Sequence, residues 1–171
     1  GVVLVIAVWA ITLIFISPDE IVEKIDVHNT YLVAFLLASI GGLSTVTGTS
    51  FFVTVATFAS GGADPVLLGL LGGFGIFLSD SAFFFLAHHG VRALGGESQF
   101  RQKILNFIAK VPDWLLNIFI FTYVGLSPLP NDILMITLVL AKVRYRIIAP
   151  ILLAGSITIV LITATLGESI R

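Results

Sequence analysis

The 171-residue chain has no cysteine, a single methionine, two tryptophans and little charge, with only 11% of its residues Asp, Glu, Lys or Arg. The absence of thiols excludes disulfides, thiolate nucleophiles and cysteine-held metals. Soluble domains carry about 25% charged residues, so this chain lacks the means to build an ordinary solvated surface. Nine basic and ten acidic residues leave a net charge of −1, which gives no case for nucleic acid held by overall charge. The sequence also lacks a phosphate loop, a nucleophile elbow, a zinc motif, a dinucleotide fingerprint and any visible nucleophile–base pair. It therefore offers no grounds for an enzyme, a metal or a cofactor. What is present is apolar: 57% of the residues, with a mean hydropathy of +1.09. A soluble domain of this size leaves much of its surface in water and could not hide so many Phe, Ile, Leu and Val side chains. The expected class is an all-α integral membrane protein forming one membrane domain.

Several apolar segments are too short to cross a bilayer. Residues 1–16 read as an N-terminal membrane helix entered part-way, since a full span needs about 20 residues. Ser17, Pro18 and Glu20 then have the spacing of a capped short helix. Residues 31–62 consist of an apolar arm, a Thr/Gly/Ser break (STVTGTS) and a second apolar arm. Residues 66–89 are long enough to span, and Gly69 and Gly73 form a GxxxG that admits a second helix closely. Residues 90–113 are polar, with Phe100, Ile104, Phe107, Ile108 and Val111 on one helical stripe, which predicts an amphipathic cytoplasmic segment. Residues 114–141 repeat the interrupted pattern around SPLPND, and residues 147–166 form a final span. Each interrupted segment reads either as a re-entrant hairpin or as one broken helix.

Charge discriminates between these two readings. Seven of the nine basic residues lie in the stretches 90–110 and 142–146, which the positive-inside rule places together in the cytoplasm. The basic-poor stretch 17–30 and the GGADP loop then lie outside, and these assignments agree with one another only if both interrupted segments return to the side they enter. The expected architecture is therefore an inverted repeat of re-entrant hairpin plus transmembrane helix, with an extra N-terminal transmembrane helix. Paired interrupted segments in corresponding halves point to a transport site near the midplane.

Few residues in such a frame carry chemistry. Asp80 lies about two-thirds along a span, where an acidic side chain faces a partner or a watery cavity. Asn131 and Asp132 stand at the tip of the second hairpin, and Asp132 is placed to cap an arm beginning at Ile133. Thr47, Thr49 and Ser50 supply hydroxyls at the first tip, while Gly48, Pro128 and Pro130 shape the two breaks. Arg144 and Arg146 sit at the mouth of the second hairpin, where guanidinium groups suit phosphate. Against these readings stand plain ones: a structural hydrogen bond, a helix cap, a satisfied broken backbone and a topology signal.

The same segments carry a resemblance. SDSAFFFLAHHG, through Ser79, Asp80, Phe84, Ala87 and Gly90, is similar to a G-D-x-x-x-Y-x-x-G-R-x-x-G stretch that closes a membrane helix. SPLPND, KVRYR and LLAGSITIVLITATLG follow the order of a P-x-P hairpin, a basic residue and a glycine-containing last span. Over about residues 31–167 the chain thus resembles the DedA family, also called the VTT or SNARE-associated Golgi protein family. Members often carry an acidic residue in the first hairpin, where this chain has only Thr47, Thr49 and Ser50. The resemblance implies two facing re-entrant hairpins and lipid translocation. Bacterial members look like flippases for undecaprenyl phosphate and related lipids, and eukaryotic relatives like phospholipid scramblases. The expected partners are membrane lipids, in the inner membrane of a prokaryote, with proton or ion coupling and a homo-oligomer left open. An ion-coupled transporter of small solutes and a non-transporting scaffold are the rival readings.

Overall fold

The computed structural model describes residues 18–41, 45–93, 108, 111–127 and 131–170. The N-terminal span, most of the amphipathic segment, and Pro128 and Pro130 lie outside them. The described residues form helices joined by turns, without a strand: α1 (Pro18–Ile25), α2 (Val27–Gly41), α3 (Thr45–Ser60), α4 (Pro65–Ala93), α5 (Asp113–Leu126), α6 (Asn131–Leu140) and α7 (Tyr145–Glu168). Two are long and apolar enough to cross a membrane, α4 over Pro65–Gly90 and α7 over its whole length. At 1.5 Å per residue they reach about 39 and 36 Å. Both leave large apolar side chains uncovered, among them Leu70, Phe74, Phe85 and Leu86 on α4 and Leu166 on α7. Helices at the core of a soluble protein would bury such faces.

Glycine sets the central contact. A methyl built on Gly73 would sit 2.5 Å from Ile157 Cα, and one on Gly69 would sit 3.0 Å from Leu161 Cβ. The GxxxG anticipated from the sequence thus packs α4 against α7, with residue numbers running in opposite senses along the seam. α2 lies on α4 and α5 on α7, again at glycines: Gly75 meets Ala38, and Gly155 meets Val124 and Gly125. The second arms cross over, α3 packing on α7 and α6 on α4.

Residues 34–68 and 120–148 carry corresponding turns and several corresponding buried positions. α3 ends in a left-handed Gly62 (φ 96°), whose N–H donates to Ala59 O while Ala63 N–H donates to Phe58 O. Eighty positions on, α6 ends in a left-handed Lys142 (φ 57°), whose N–H donates to Val139 O while Val143 N–H donates to Leu138 O. This pair of bonds satisfies carbonyls that a helix end leaves open. Because α4 and α7 are antiparallel, the two turns stand at opposite ends of the pair. The cores match as well. Ala34, Ala38, Val55, Phe58, Ala59 and Leu68 are buried in one cluster, and Ile120, Val124, Met135, Leu138, Val139 and Ile148 in the other. The offset is 86 in the first arms and 80 afterwards, because the second half is six residues shorter between its arms.

Boundaries differ from the sequence expectation where polar side chains satisfy themselves. α2 starts at Val27, four residues before the apolar run, with Thr30 bonded to Asp26 O through both its N–H and its hydroxyl. α4 runs on through Gly90 to Ala93. α6 begins at Asn131, so Asp132 lies within its first turn and is not the residue capping an arm that starts at Ile133. At the head of α4, Asp64 is the true cap: its Oδ1 accepts Val66 N–H at 2.7 Å and Leu67 N–H at 3.2 Å.

Candidate functional site

Asp80 is 1% exposed in the middle of α4. Its Oδ2 accepts a hydrogen bond of 2.9 Å from Asn131 Nδ2, brought to it by the N-terminus of α6. Among the described residues Asn131 is its only hydrogen-bond partner and no basic side chain pairs with it. Asp132, half-buried, is within electrostatic range of both Asp80 and the Tyr123 hydroxyl. The arrangement is two carboxyls and an amide at the end of a short helix, inside an apolar bundle. A buried carboxyl without a cationic neighbour must be hydrogen-bonded, hold its own proton or meet a mobile positive group.

The structure brings Asp80, Asn131 and Asp132 together. Arg144 and Arg146 stand elsewhere, exposed at the start of α7. The length of α6, about 15 Å for ten residues, separates them from Asn131. Gly48, Thr49 and Ser50 are half-buried near the start of α3. Both hydroxyl residues have interaction partners. Thr47 belongs to α3, but its side chain is outside the described set. Among the described residues no group of three His, Asp or Glu is placed to hold a metal ion.

Two features were not anticipated. Tyr145, overlooked inside the basic KVRYR run, donates its hydroxyl to Ser81 Oγ at 2.6 Å, and Ser81 donates to Phe77 O. The Tyr145 ring lies 5.3 Å from Phe84 and 4.8 Å from Phe85, which fastens the start of α7 to α4 just beyond Asp80. Its mixed character was the available signal: an aromatic body suited to a helix interface with one polar tip.

The second feature is an asymmetry between the matched halves. Eighty positions before Asn131 stands Phe51, and eighty after Asp80 stands Val160. Both are buried, and a methyl on Gly72 would lie 3.0 Å from Phe51 Cζ and 3.0 Å from Val160 Cγ1. Where one half joins tip to span through an amide and a carboxyl, the other does so through hydrocarbon. No family model matches the chain, and no match appears among the curated proteins or the solved structures.

Proposed function

We propose that this chain is a membrane lipid transporter, a flippase or scramblase that moves phospholipid or polyprenyl phosphate between leaflets past a polar site between two re-entrant hairpins. The observation that carries the reading is Asp80, buried on a span-length helix and hydrogen-bonded, among the described residues, only to the amide at the N-terminus of α6. A carboxyl so placed is costly in a bilayer and marks a pathway by default. The matched turns at opposite ends of α4 and α7, and the crossing over of the second arms, support an inverted repeat with interrupted segments at its centre. In this reading Arg144 and Arg146 collect the phosphate at the mouth, Asp80, Asn131 and Asp132 form the polar path, and Thr47, Thr49 and Ser50 line the opposite tip. Acyl tails stay in lipid beside the exposed apolar faces. The DedA-family resemblance points the same way.

The test is reconstitution into liposomes with fluorescent lipids of several classes. Transbilayer movement above that of empty vesicles is expected, and its absence for every class refutes the proposal. Topology has its own check, because the chain is free of cysteine. Single cysteines at Lys24 and Lys103 should label from opposite sides, and labelling from one side sinks the hairpin arrangement.

One observation favours an ion-coupled solute transporter as the second reading: two carboxyls lie together with no basic partner among the described residues. It predicts solute uptake that Asp80→Asn and Asp132→Asn abolish while lipid movement is unaffected.

A further inference from the structure

Helical serine and threonine side chains in this protein turn back onto their own helix. Thr54 donates to Ser50 O, Thr57 to Val53 O, Thr158 to Ala154 O and Thr163 to Ile159 O, all at 2.8–2.9 Å. Two buried serines break this habit, Ser79 on α4 beside Asp80 and Ser156 on α7: neither hydroxyl has a hydrogen-bond partner among the described residues. Ser156 is 0% exposed. A buried hydroxyl left unpaired lowers stability and calls for an explanation such as a bound water or a ligand.

Its position supplies one. Gly73 against Ile157 fixes the register of α4 on α7 and puts Ser156 level with residue 74. Asp80 is six residues further along α4, about 9 Å away in level. One turn after Ser156 on the same side of α7 comes Val160, which meets α4 at Gly72. Ser156 therefore faces the seam between α4 and α7, and Asp80, seven residues after Gly73, falls on the same stripe of α4. The matching of the halves sharpens this: the counterpart of Ser156 is Ile76, just as the counterpart of Asp80 is Val160, and all four are buried. On the two spanning helices the buried core exchanges apolar for polar at two such matched places, once on each helix, and both border the same seam.

We propose that Ser156 is a second, hydrated station on the path that begins at Asp80 and Asn131, binding water at rest and the oxygen atoms of the translocated headgroup during transfer. This rests on the transport reading above. Two measurements test it. In membranes, Ser156→Cys should react with a positively charged, water-soluble methanethiosulfonate much faster than Leu152→Cys. Leu152 is the apt control, one turn nearer the basic end of α7 and fully buried among apolar side chains. Equal reactivity of the two overturns the proposal. In liposomes, Ser156→Ala should slow lipid movement about tenfold, the equivalent of one transfer-stage hydrogen bond, while raising the melting temperature. A higher melting temperature with unchanged movement reduces Ser156 to a structural imperfection and likewise overturns it. If the wild type moves no lipid, the transport reading fails, and the labelling still decides whether the station is wet.

Discussion

Replacing Asn131 by leucine keeps the size of the side chain and removes the donor that Asp80 uses. The carboxyl, 1% exposed, would then have no hydrogen-bond partner among the described residues. Leaving a buried polar group unsatisfied costs about 1–3 kcal/mol. At about 2–4 °C per kcal/mol for a chain of this size, Asn131→Leu should lower the melting temperature by about 2–12 °C. Adding Asp80→Leu removes the orphan and should restore the wild-type value or exceed it, since exchanging both partners for apolar groups is close to neutral. The other half already shows the hydrocarbon version, Phe51 and Val160 meeting at Gly72. The assay is thermal unfolding of the single and double variants in nanodiscs, combined with lipid movement. Every variant lacking Asp80 should be inactive, including the thermally restored one. A neutral Asn131→Leu, or a double variant less stable than the single, would show that the bond does not hold α6 to α4. A double variant that still moves lipid would remove Asp80 from the path.

Gly73→Ala forces a methyl against the backbone of Ile157 and should destabilise by about 1–3 kcal/mol, whereas Gly90→Ala meets nothing within 4 Å and should gain up to about 1 kcal/mol of helix propensity; their melting temperatures should shift in opposite directions. Lys142→Gly relieves a left-handed non-glycine residue and should stabilise by about 1 kcal/mol, while Gly62→Ala at the matched turn should destabilise by a similar amount. Asp64→Ala removes both N-terminal bonds of α4 and should cost about 1 kcal/mol, read by the same melts. Tyr145→Phe loses the bond to Ser81 but keeps the ring contacts, so about 0.5–1.5 kcal/mol should disappear without loss of the folded state.

The sequence by itself determined the helical class, the two span-length segments and the pairs of shorter apolar helices, because hydropathy and length constrain these locally. It marked Asp80, Asn131 and Asp132 through their rarity in apolar surroundings. It also supplied the glycine spacing, since only a missing side chain admits a second backbone so closely. It misjudged where α2 and α6 begin, because Thr30 and Asn131 are satisfied by partners that a hydropathy pattern does not register. Only the tertiary structure decided which polar residues meet. Asn131 reaches Asp80 because α6 crosses to the other half's spanning helix, while Arg144 and Arg146 are held a helix-length away. The corresponding burial was equally hidden: Ala38 and Val124, or Phe58 and Leu138, are buried at matching offsets although their volumes differ. Ser79 and Ser156 stand out only in the fold, buried without a hydrogen-bond partner among the described residues, because in the sequence each is one more small polar group in an apolar run.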